Sequence, residues 1–251
     1  IVIMPYSKSG TTWLQQIFHT LRTRGDMDFD DISRVVPWIE VNPSLGLDLN
    51  AEQRASPRGF KSHLSFDEIP KGGRYINAIR HPNDVAYSLF KFMEGWFIEP
   101  GTVTADEFVI NNFLQSGTYY EHLLSWWPER SSENVLYLVY EHMNADLEGT
   151  IRKVANFVNI DLDEELLTIV MNNASFSFMQ SHKDRFDDAM LRAKTEEIYL
   201  PAGSDSAKVR EGKVNAHRLS PSVLEALDEK WRAVVQPILG FDAYEALTDC
   251  K

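Results

Sequence analysis

The start of the chain constrains its fold more than any other feature. Residues 1–4, Ile-Val-Ile-Met, form a continuous and mostly β-branched apolar run, which is typical of a strand buried on both faces. A short loop rich in Ser, Gly and Thr follows over 5–12. The next apolar residues have the spacing of one helix face: Leu14, Ile17, Phe18 and Leu21. A chain that begins with a buried strand, a tight loop and an amphipathic helix is predicted to belong to the α/β class.

The rest of the chain continues the alternation of strands and helices. Further strands are predicted over 75–79 and 135–140, with a short strand end within 59–63. Helices are predicted from Asn83, over 105–126, over 147–159, over 164–172 and from Ser220 onward. This pattern predicts a central parallel β-sheet flanked by helices. No internal repeat or domain boundary is found, so we expect one domain over 1–251, with a polar, mobile lid over 181–213.

Composition narrows the possible functions. The chain has 251 residues and a net charge of −12, so general binding to nucleic acid is not expected, although a local basic pocket is compatible with an acidic surface. No apolar run reaches the ~18 residues of a membrane-spanning helix, so no membrane association is predicted for this region. The single Cys250 allows no intrachain disulfide, which favours a cytoplasmic location. Because residue 1 is not Met, we expect that an upstream segment is missing.

The loop that follows the first strand has the composition of a phosphate-binding site. Lys8 supplies a charge, Gly10 permits close backbone approach, and Thr11 and Thr12 add hydroxyl donors at a helix N-terminus, which is locally positive. The alternative is a simple junction in which one threonine caps the helix. The agreement of position and residue chemistry favours the phosphate site.

The pattern of this loop differs from that of nucleotide triphosphatases. Their loop, G-x-x-x-x-G-K-[ST], has its lysine after the second glycine, whereas Lys8 precedes the only glycine here. The third predicted strand ends at Tyr140 and Glu141 without an unambiguous magnesium-binding Asp. A site for a metal–ATP complex is therefore disfavoured, and no metal is expected.

Several short segments resemble one enzyme family, in the order in which that family has them. Residues 5–13 resemble P-K-S-G-T-T-W, the phosphosulfate loop of sulfotransferases that use 3′-phosphoadenosine 5′-phosphosulfate (PAPS), with Tyr6 and Ser7 between Pro5 and Lys8. Residues 60–64 are similar to the segment F-K-[ST]-H-L. Residues 75–88 are similar to the 3′-phosphate segment, 139–141 to the strand end near adenine, and 175–179 to S-F-x-x-M. The resemblance implies a P-loop-like sulfotransferase fold.

The resemblance also implies the site residues. It implies that PAPS is the co-substrate, that 3′-phosphoadenosine 5′-phosphate (PAP) is the product, and that the nucleotide is bound by Lys8, Ser9, Gly10, Thr11, Thr12, Trp13, Arg80, Ser88, Tyr140, Ser175, Phe176, Arg210 and Gly212. Arg80, Ser88 and Arg210 would hold the 3′-phosphate. Core packing is an alternative role for Trp13 and for Phe176, and an ion pair with Asp84 is an alternative for Arg80.

The chemistry of sulfonate transfer assigns roles to Lys8 and to two more side chains. His63 is the expected general base, because an imidazole with an ordinary pKa near ~6.5 accepts a proton near neutrality. Lys8 and Lys61 are expected to stabilise the leaving phosphate and the transferred group. Aromatic residues are expected to line the acceptor pocket, which favours an apolar alcohol or phenol as the acceptor: Trp38, Phe60 and Phe92. The predicted reaction also includes amines as acceptors.

The late segment Arg210-Glu211-Gly212-Lys213 resembles R-K-G-x-x-G-x-W but departs from it. Glu211 replaces a lysine, Asn215 the second glycine and His217 the tryptophan. These departures support one rival hypothesis, a nucleotide-binding domain without catalysis. The other rival is a nucleotide-dependent kinase on a related loop. The sequence predicts neither the acceptor nor the oligomeric state.

Overall fold

A four-stranded parallel sheet lies at the centre of the molecule. The computed structural model of the chain describes residues 1–188, 190–191, 205 and 207–249. Its strands are β1 (Val2–Ile3), β2 (Phe60–Lys61), β3 (Tyr75–Ile79) and β4 (Val135–Val139), in the order β2-β1-β3-β4. Every strand pair is parallel, with Ile3 opposite both Lys61 and Ile76. The predicted α/β class with a central parallel sheet is confirmed.

Helices connect the strands and cover the sheet. In chain order they are α1 (Thr11–Thr23), α2 (Ile32–Val35), α3 (Asn42–Leu45), α4 (Pro82–Glu94), α5 (Ala105–Phe108), α6 (Leu114–Ser116), α7 (Thr118–Trp126), α8 (Tyr140–Ala145), α9 (Leu147–Phe157), α10 (Glu164–Asn173), α11 (Phe176–Ser181), α12 (Pro221–Val234), α13 (Gln236–Leu239) and α14 (Tyr244–Thr248). A π-helical segment, Val109–Phe113, and two 3₁₀ segments, Trp127–Ser131 and Lys183–Arg185, complete the described elements. No helix of the described residues is long and apolar enough to cross a membrane.

The prediction of one helix over 105–126 is wrong. The helix begins at Ala105, where the Thr104 and Glu107 side chains form a capping box. Gly117 then adopts a left-handed conformation with φ of 67°, which separates α6 from α7. The apolar periodicity continues across this break, so the sequence pattern did not reveal it.

Both faces of the sheet are buried, which explains the uninterrupted apolar strands. Alternate strand residues face opposite sides. Ile3, Ile76 and Leu138 pack with the buried residues of α1, α9 and α10. Val2 and Tyr75 pack on the other side with Trp126 of α7. The carboxyl ends of all four strands therefore meet at one open edge, which is where parallel α/β sheets bind ligands.

Candidate active site

A cavity of about 770 Å³ lies at the carboxyl ends of the strands. Its lining comes from the loop after β1, the ends of the other strands, α4 and the segment 207–218. Nine of the described lining residues are basic: Lys8, Lys61, Arg80, Lys91, Lys183, Lys208, Arg210, Lys213 and Arg218. Only Asp84, Asp205 and Glu211 among them are acidic. A chain with a net charge of −12 thus concentrates positive charge at this site, which suits a polyanionic ligand.

The loop after β1 presents unpaired backbone donors to the cavity. Lys8 and Gly10 both have left-handed backbone conformations, with φ of 69° and 94°. Gly10 is the N-cap of α1, and no side chain caps that helix. The alternative that a threonine caps the helix is therefore wrong. The first-turn N–H groups of α1 have no intrahelical acceptor and are available to a phosphate.

Two lysines of the cavity are held in desolvated positions against aromatic rings. The Lys8 Nζ lies 4.6 Å from the ring centre of Phe92, and the Lys61 Nζ lies 3.6 Å from that of Trp38. Burial, followed by the nearby Lys208, lowers the pKa of Lys61 to about 7. Burial also lowers the pKa of Lys8 well below its ordinary value, again followed by Lys208. An anion that enters the cavity favours the charged form of both lysines and therefore raises their pKa values.

The His63 imidazole has its Nε2 free to accept a proton. Its Nδ1 lies 2.7 Å from the Pro5 carbonyl oxygen, which can only accept, so Nδ1 carries the hydrogen. The backbone N–H of His63 donates to the carboxylate of Glu40, and the ring of Trp38 lies edge-on at 5.3 Å. Burial, and secondarily the charge of Lys61, keep the pKa of His63 well below 6.5. The imidazole is therefore neutral at physiological pH, as a general base must be.

Arg80 follows β3 and spans two sides of the cavity. One guanidinium nitrogen donates to the Lys8 carbonyl at 3.0 Å, and the other lies 3.5 Å from the Asp84 carboxylate. The guanidinium also stacks on Tyr140 at 4.3 Å. The ion pair with Asp84 weighed from the sequence exists, but it is buried at the cavity wall. Ser88, which lies on α4, lines the same cavity.

The segment 207–218 contributes to the lining of the cavity. Asp84 accepts the backbone N–H groups of Asn215 and Ala216 at 2.9 and 3.1 Å, so the segment is tied to α4. Arg210 donates to the carbonyls of Lys91 and Ala207 at 2.9 and 2.8 Å. The predicted lid over 181–213 lies partly outside the described residues, at 189, 192–204 and 206.

Two departures from the family pattern have local explanations. Asn215 has φ of 55°, a left-handed conformation that glycine adopts freely and that asparagine tolerates better than most residues. The carboxylate of Glu211 pairs with the Arg218 guanidinium at 3.6 Å, which offsets its charge at the cavity. Gly212 has φ of 61°, and a side chain there would lie 2.4 Å from the Phe176 ring.

Most of the residues predicted from the sequence line this cavity. They are Lys8, Gly10, Thr11, Thr12, Trp13, Trp38, Lys61, His63, Arg80, Ser88, Phe92, Tyr140, Phe176, Arg210 and Gly212. Three others do not line it. Ser9 belongs to the loop but is fully buried. Phe60 packs against the core on the far side of β2, beneath the Arg58 guanidinium at 5.1 Å. The Ser175 hydroxyl accepts the Phe178 N–H and caps α11.

Sequence reasoning missed a buried ion pair beside the cavity. The Lys208 Nζ lies 2.5 Å from an Asp188 carboxylate oxygen. It also missed Asn144, whose side chain donates to the Gly212 carbonyl at 3.1 Å, and Tyr87 of the cavity wall. Lys208, Asp188 and Asn144 lie outside every contiguous motif, so no local signal marked them, and Tyr87 lies within the segment 75–88 but was not assigned a role there.

The family match decides what this arrangement is. The sulfotransferase domain family matches residues 1–242 of the chain. This chain belongs to the sulfotransferase family. Its relatives include the rat sulfotransferase 1 family member D1, which is 30% identical over 80% of this chain and 72% of its own length, and the mouse sulfotransferase 1B1, which is 33% identical over 72% of this chain and 66% of its own length.

Solved sulfotransferase structures share the fold of this sulfotransferase. The mouse sulfotransferase SULT7A1, complexed with PAP, superposes with a TM-score of 0.69 at 23% identity, covering 94% of this chain and 83% of its own. Retinol dehydratase, in complex with androsterone and PAP, gives a TM-score of 0.75 at 20% identity, covering 94% of this chain and 80% of its own. The family, the fold and the enzyme class predicted from the sequence are confirmed.

Proposed function

We propose that this sulfotransferase moves a sulfonate group from PAPS to a hydroxyl or amine of a small-molecule acceptor. The observation that carries the proposal is the pairing of two features across one cavity. The uncapped N-terminus of α1, with Lys8, faces the cavity from one side, and the His63 imidazole with its free Nε2 faces it from another. The kinase alternative is not favoured, because the loop lacks the required glycine and lysine pattern and the family match is to sulfotransferases.

The cavity residues suit a nucleotide with phosphates at two positions. The backbone N–H groups and hydroxyls of Thr11 and Thr12 would bind the 5′-phosphate at the positive end of α1. Arg80, Ser88 and Arg210 would bind the 3′-phosphate with charge and a hydroxyl donor. The exposed aromatic face of Phe176, which stands next to Gly212, is suited to stack on adenine, and Trp13, whose indole N–H donates to the Ala174 carbonyl, is a second aromatic residue of the cavity lining. PAPS supplies the sulfonate, and no metal takes part in the proposed reaction.

His63 and the two buried lysines would divide the work of the transfer. As the acceptor oxygen attacks sulfur, its proton passes to the His63 Nε2. The bond between sulfur and the 5′-phosphate oxygen breaks, and its electron pair leaves with PAP. Lys8 would stabilise the charge that grows on this phosphate, and Lys61 the charge on the sulfonate oxygens. An anionic donor also offsets the desolvation that lowers the pKa of both lysines.

The acceptor side of the cavity favours apolar alcohols and phenols. Trp38 lies edge-on to His63, and Phe92 lies beside Lys8, so aromatic surface flanks the proposed point of transfer. The retinol dehydratase structures hold androsterone and retinol, which are apolar alcohols. Three features remain predictions: a single domain over 1–251, closure of the cavity by residues 181–213, and a cytoplasmic location. The single Cys250 supports the cytoplasmic location.

The test is transfer of labelled sulfonate from PAPS to a panel of alcohols, phenols and amines. Transfer that needs both PAPS and an acceptor supports the proposal, and calorimetry should show PAP binding without added metal. Magnesium-dependent binding of ATP in preference to PAP would instead indicate a kinase. Tight PAP binding with no transfer to any acceptor would indicate a binding domain without catalysis.

A further inference from the structure

A buried ion pair lies at the wall of the cavity and belongs to none of the motifs that identify the family. The Lys208 Nζ and an Asp188 oxygen are 2.5 Å apart, and the two side chains are 9% and 4% exposed. Lys208 lines the main cavity, whereas Asp188 lies behind it in a small recess with Asp31 and Trp38. Lys208 therefore borders the ligand space, while its ammonium is buried against the aspartate on the protein side.

A contribution to folding stability does not by itself explain this buried ion pair. Burying two charges costs desolvation that their attraction offsets only in part, and apolar replacements are often as stable. Asp188 also has φ of 58°, a left-handed conformation that costs energy for a residue with a side chain. Strain and buried charge together concentrate at functional sites.

The charged groups around the ion pair indicate which part of the cavity Lys208 lies close to. Lys208 is the leading charged neighbour that lowers the pKa of Lys8 and of Lys61, and it also lowers that of His63. Its ammonium thus lies within Coulomb reach of all three groups assigned to the transfer step. Burial would raise the pKa of Asp188, but Lys208 and then Lys61 bring it down to about 2, so the aspartate is charged. Asp31 and Glu40 also act on Lys61, so three carboxylates accompany the three lysines at this end of the cavity, and Asp188 is the one in contact with Lys208.

We propose that Lys208 is a third cation at the transferred sulfonate and that Asp188 is the residue that positions it. This inference rests on the proposed function. As the bond between sulfur and the 5′-phosphate oxygen breaks, charge is shared between the sulfonate oxygens and the leaving phosphate. Lys208 donates a hydrogen bond to a sulfonate oxygen during this step and forms no covalent bond. Asp188 fixes the direction of the ammonium and does not touch the substrate.

The test exploits the single difference between PAPS and PAP, which is the sulfonate. Lys208→Met should lower kcat/KM for PAPS roughly 100-fold, the loss typical of one donor to a transition-state oxyanion. The affinity for PAP should stay within about twofold, because PAP carries nothing for Lys208 to bind. Lys208→Arg keeps the charge and should retain most of the activity. Lys153→Met, at an exposed site on α9, is the matched control and should behave as the unmodified enzyme.

A double-substitution cycle tests the positioning role of Asp188. Asp188→Asn should lower kcat with PAPS and leave PAP affinity unchanged. Adding Asp188→Asn to Lys208→Met should lower kcat no further, because the aspartate acts only through the lysine. A purely structural aspartate would give additive losses. The double variant removes both charges together, so it carries the test if Lys208→Met alone does not fold.

Two results would overturn the proposal. One is full turnover of Lys208→Met with PAPS, or of the double variant where the single one does not fold. The other is an equal loss of PAP and PAPS binding, which would place Lys208 at a phosphate. Failure of the unmodified enzyme to transfer sulfonate is a separate result, and it would overturn the proposed function itself.

Discussion

The sharpest test of the nucleotide site is Arg80→Ala. The Arg80 side chain is only 11% exposed, and its guanidinium is held by the Lys8 carbonyl, the Asp84 carboxylate and the Tyr140 ring. It is therefore pre-oriented at the cavity wall before any ligand binds. If it holds the 3′-phosphate, its removal should weaken ligands that carry this phosphate and spare those that lack it.

The expected magnitude follows from the burial of the guanidinium. A charge-assisted hydrogen bond contributes about 1.5–3 kcal/mol, and little solvent screens it here. One such interaction corresponds to a roughly 10- to 150-fold loss of PAP affinity. Adenosine 5′-monophosphate, which has no 3′-phosphate, should lose less than about threefold through small shifts of the loop that Arg80 supports.

Calorimetric titration of both ligands against the same preparation measures the difference directly. Arg80→Lys keeps a charge but loses the planar donor pair, so its PAP affinity should fall between those of the unmodified protein and Arg80→Ala. Thermal unfolding checks the fold, because Asp84 loses its cation in the alanine variant but keeps its bonds to the N–H groups of Asn215 and Ala216. Equal losses for the two ligands would refute the assignment.

Three further predictions concern the base, the adenine wall and a lysine. His63→Ala should lower turnover roughly 10²- to 10⁴-fold while PAP affinity stays unchanged, and turnover equal to that of the exposed-site control His142→Ala would remove His63 from the mechanism. Gly212→Ala places a methyl group 2.4 Å from the Phe176 ring, so PAP affinity should fall roughly tenfold. The control is Gly240→Ala, which has a similar positive φ with open space around it and should not change PAP affinity. The pKa of Lys61 is about 7 in the free protein, and a bound sulfonate should raise it, so PAPS binding at about pH 8 without an acceptor should take up protons. Lys61→Met should reduce that uptake by about one proton, whereas an unchanged uptake would contradict the assignment.

The departures in the late segment illustrate why short motifs need structural context. From the sequence, Glu211 and Asn215 weaken the resemblance to the family and support a binding domain without catalysis. In the structure, Asn215 has the left-handed backbone that a glycine would provide, and Glu211 is paired with Arg218. Both substitutions are compatible with an intact nucleotide site. Position 215 requires a left-handed backbone conformation, and position 211 requires a partner for its charge.

The helix prediction over 105–126 failed for a related reason. Apolar periodicity reports which face of a segment is buried, and that face continues from α6 into α7. It does not report the backbone conformation of Gly117, whose left-handed φ divides the segment. Such breaks are visible in a sequence only when the surrounding pattern changes as well.

The sequence by itself determined those features that consecutive residues specify. The strand, loop and helix at the start of the chain lie within about 25 consecutive residues, and short contiguous motifs marked His63 and Arg80. Buried parallel strands are apolar throughout, and a phosphate loop needs its residues in one turn, so both leave a readable pattern.

The tertiary structure alone decided how these groups act. The free Nε2 of His63 depends on the Pro5 carbonyl, 58 residues earlier in the chain, and the Lys208–Asp188 pair joins residues 20 positions apart with no motif between them. Phe60 belongs to the family segment, yet it faces the core because of its place on the pleat of β2. Side-chain direction, burial and charge state depend on which distant elements pack together, and that packing is not encoded in any contiguous stretch of residues.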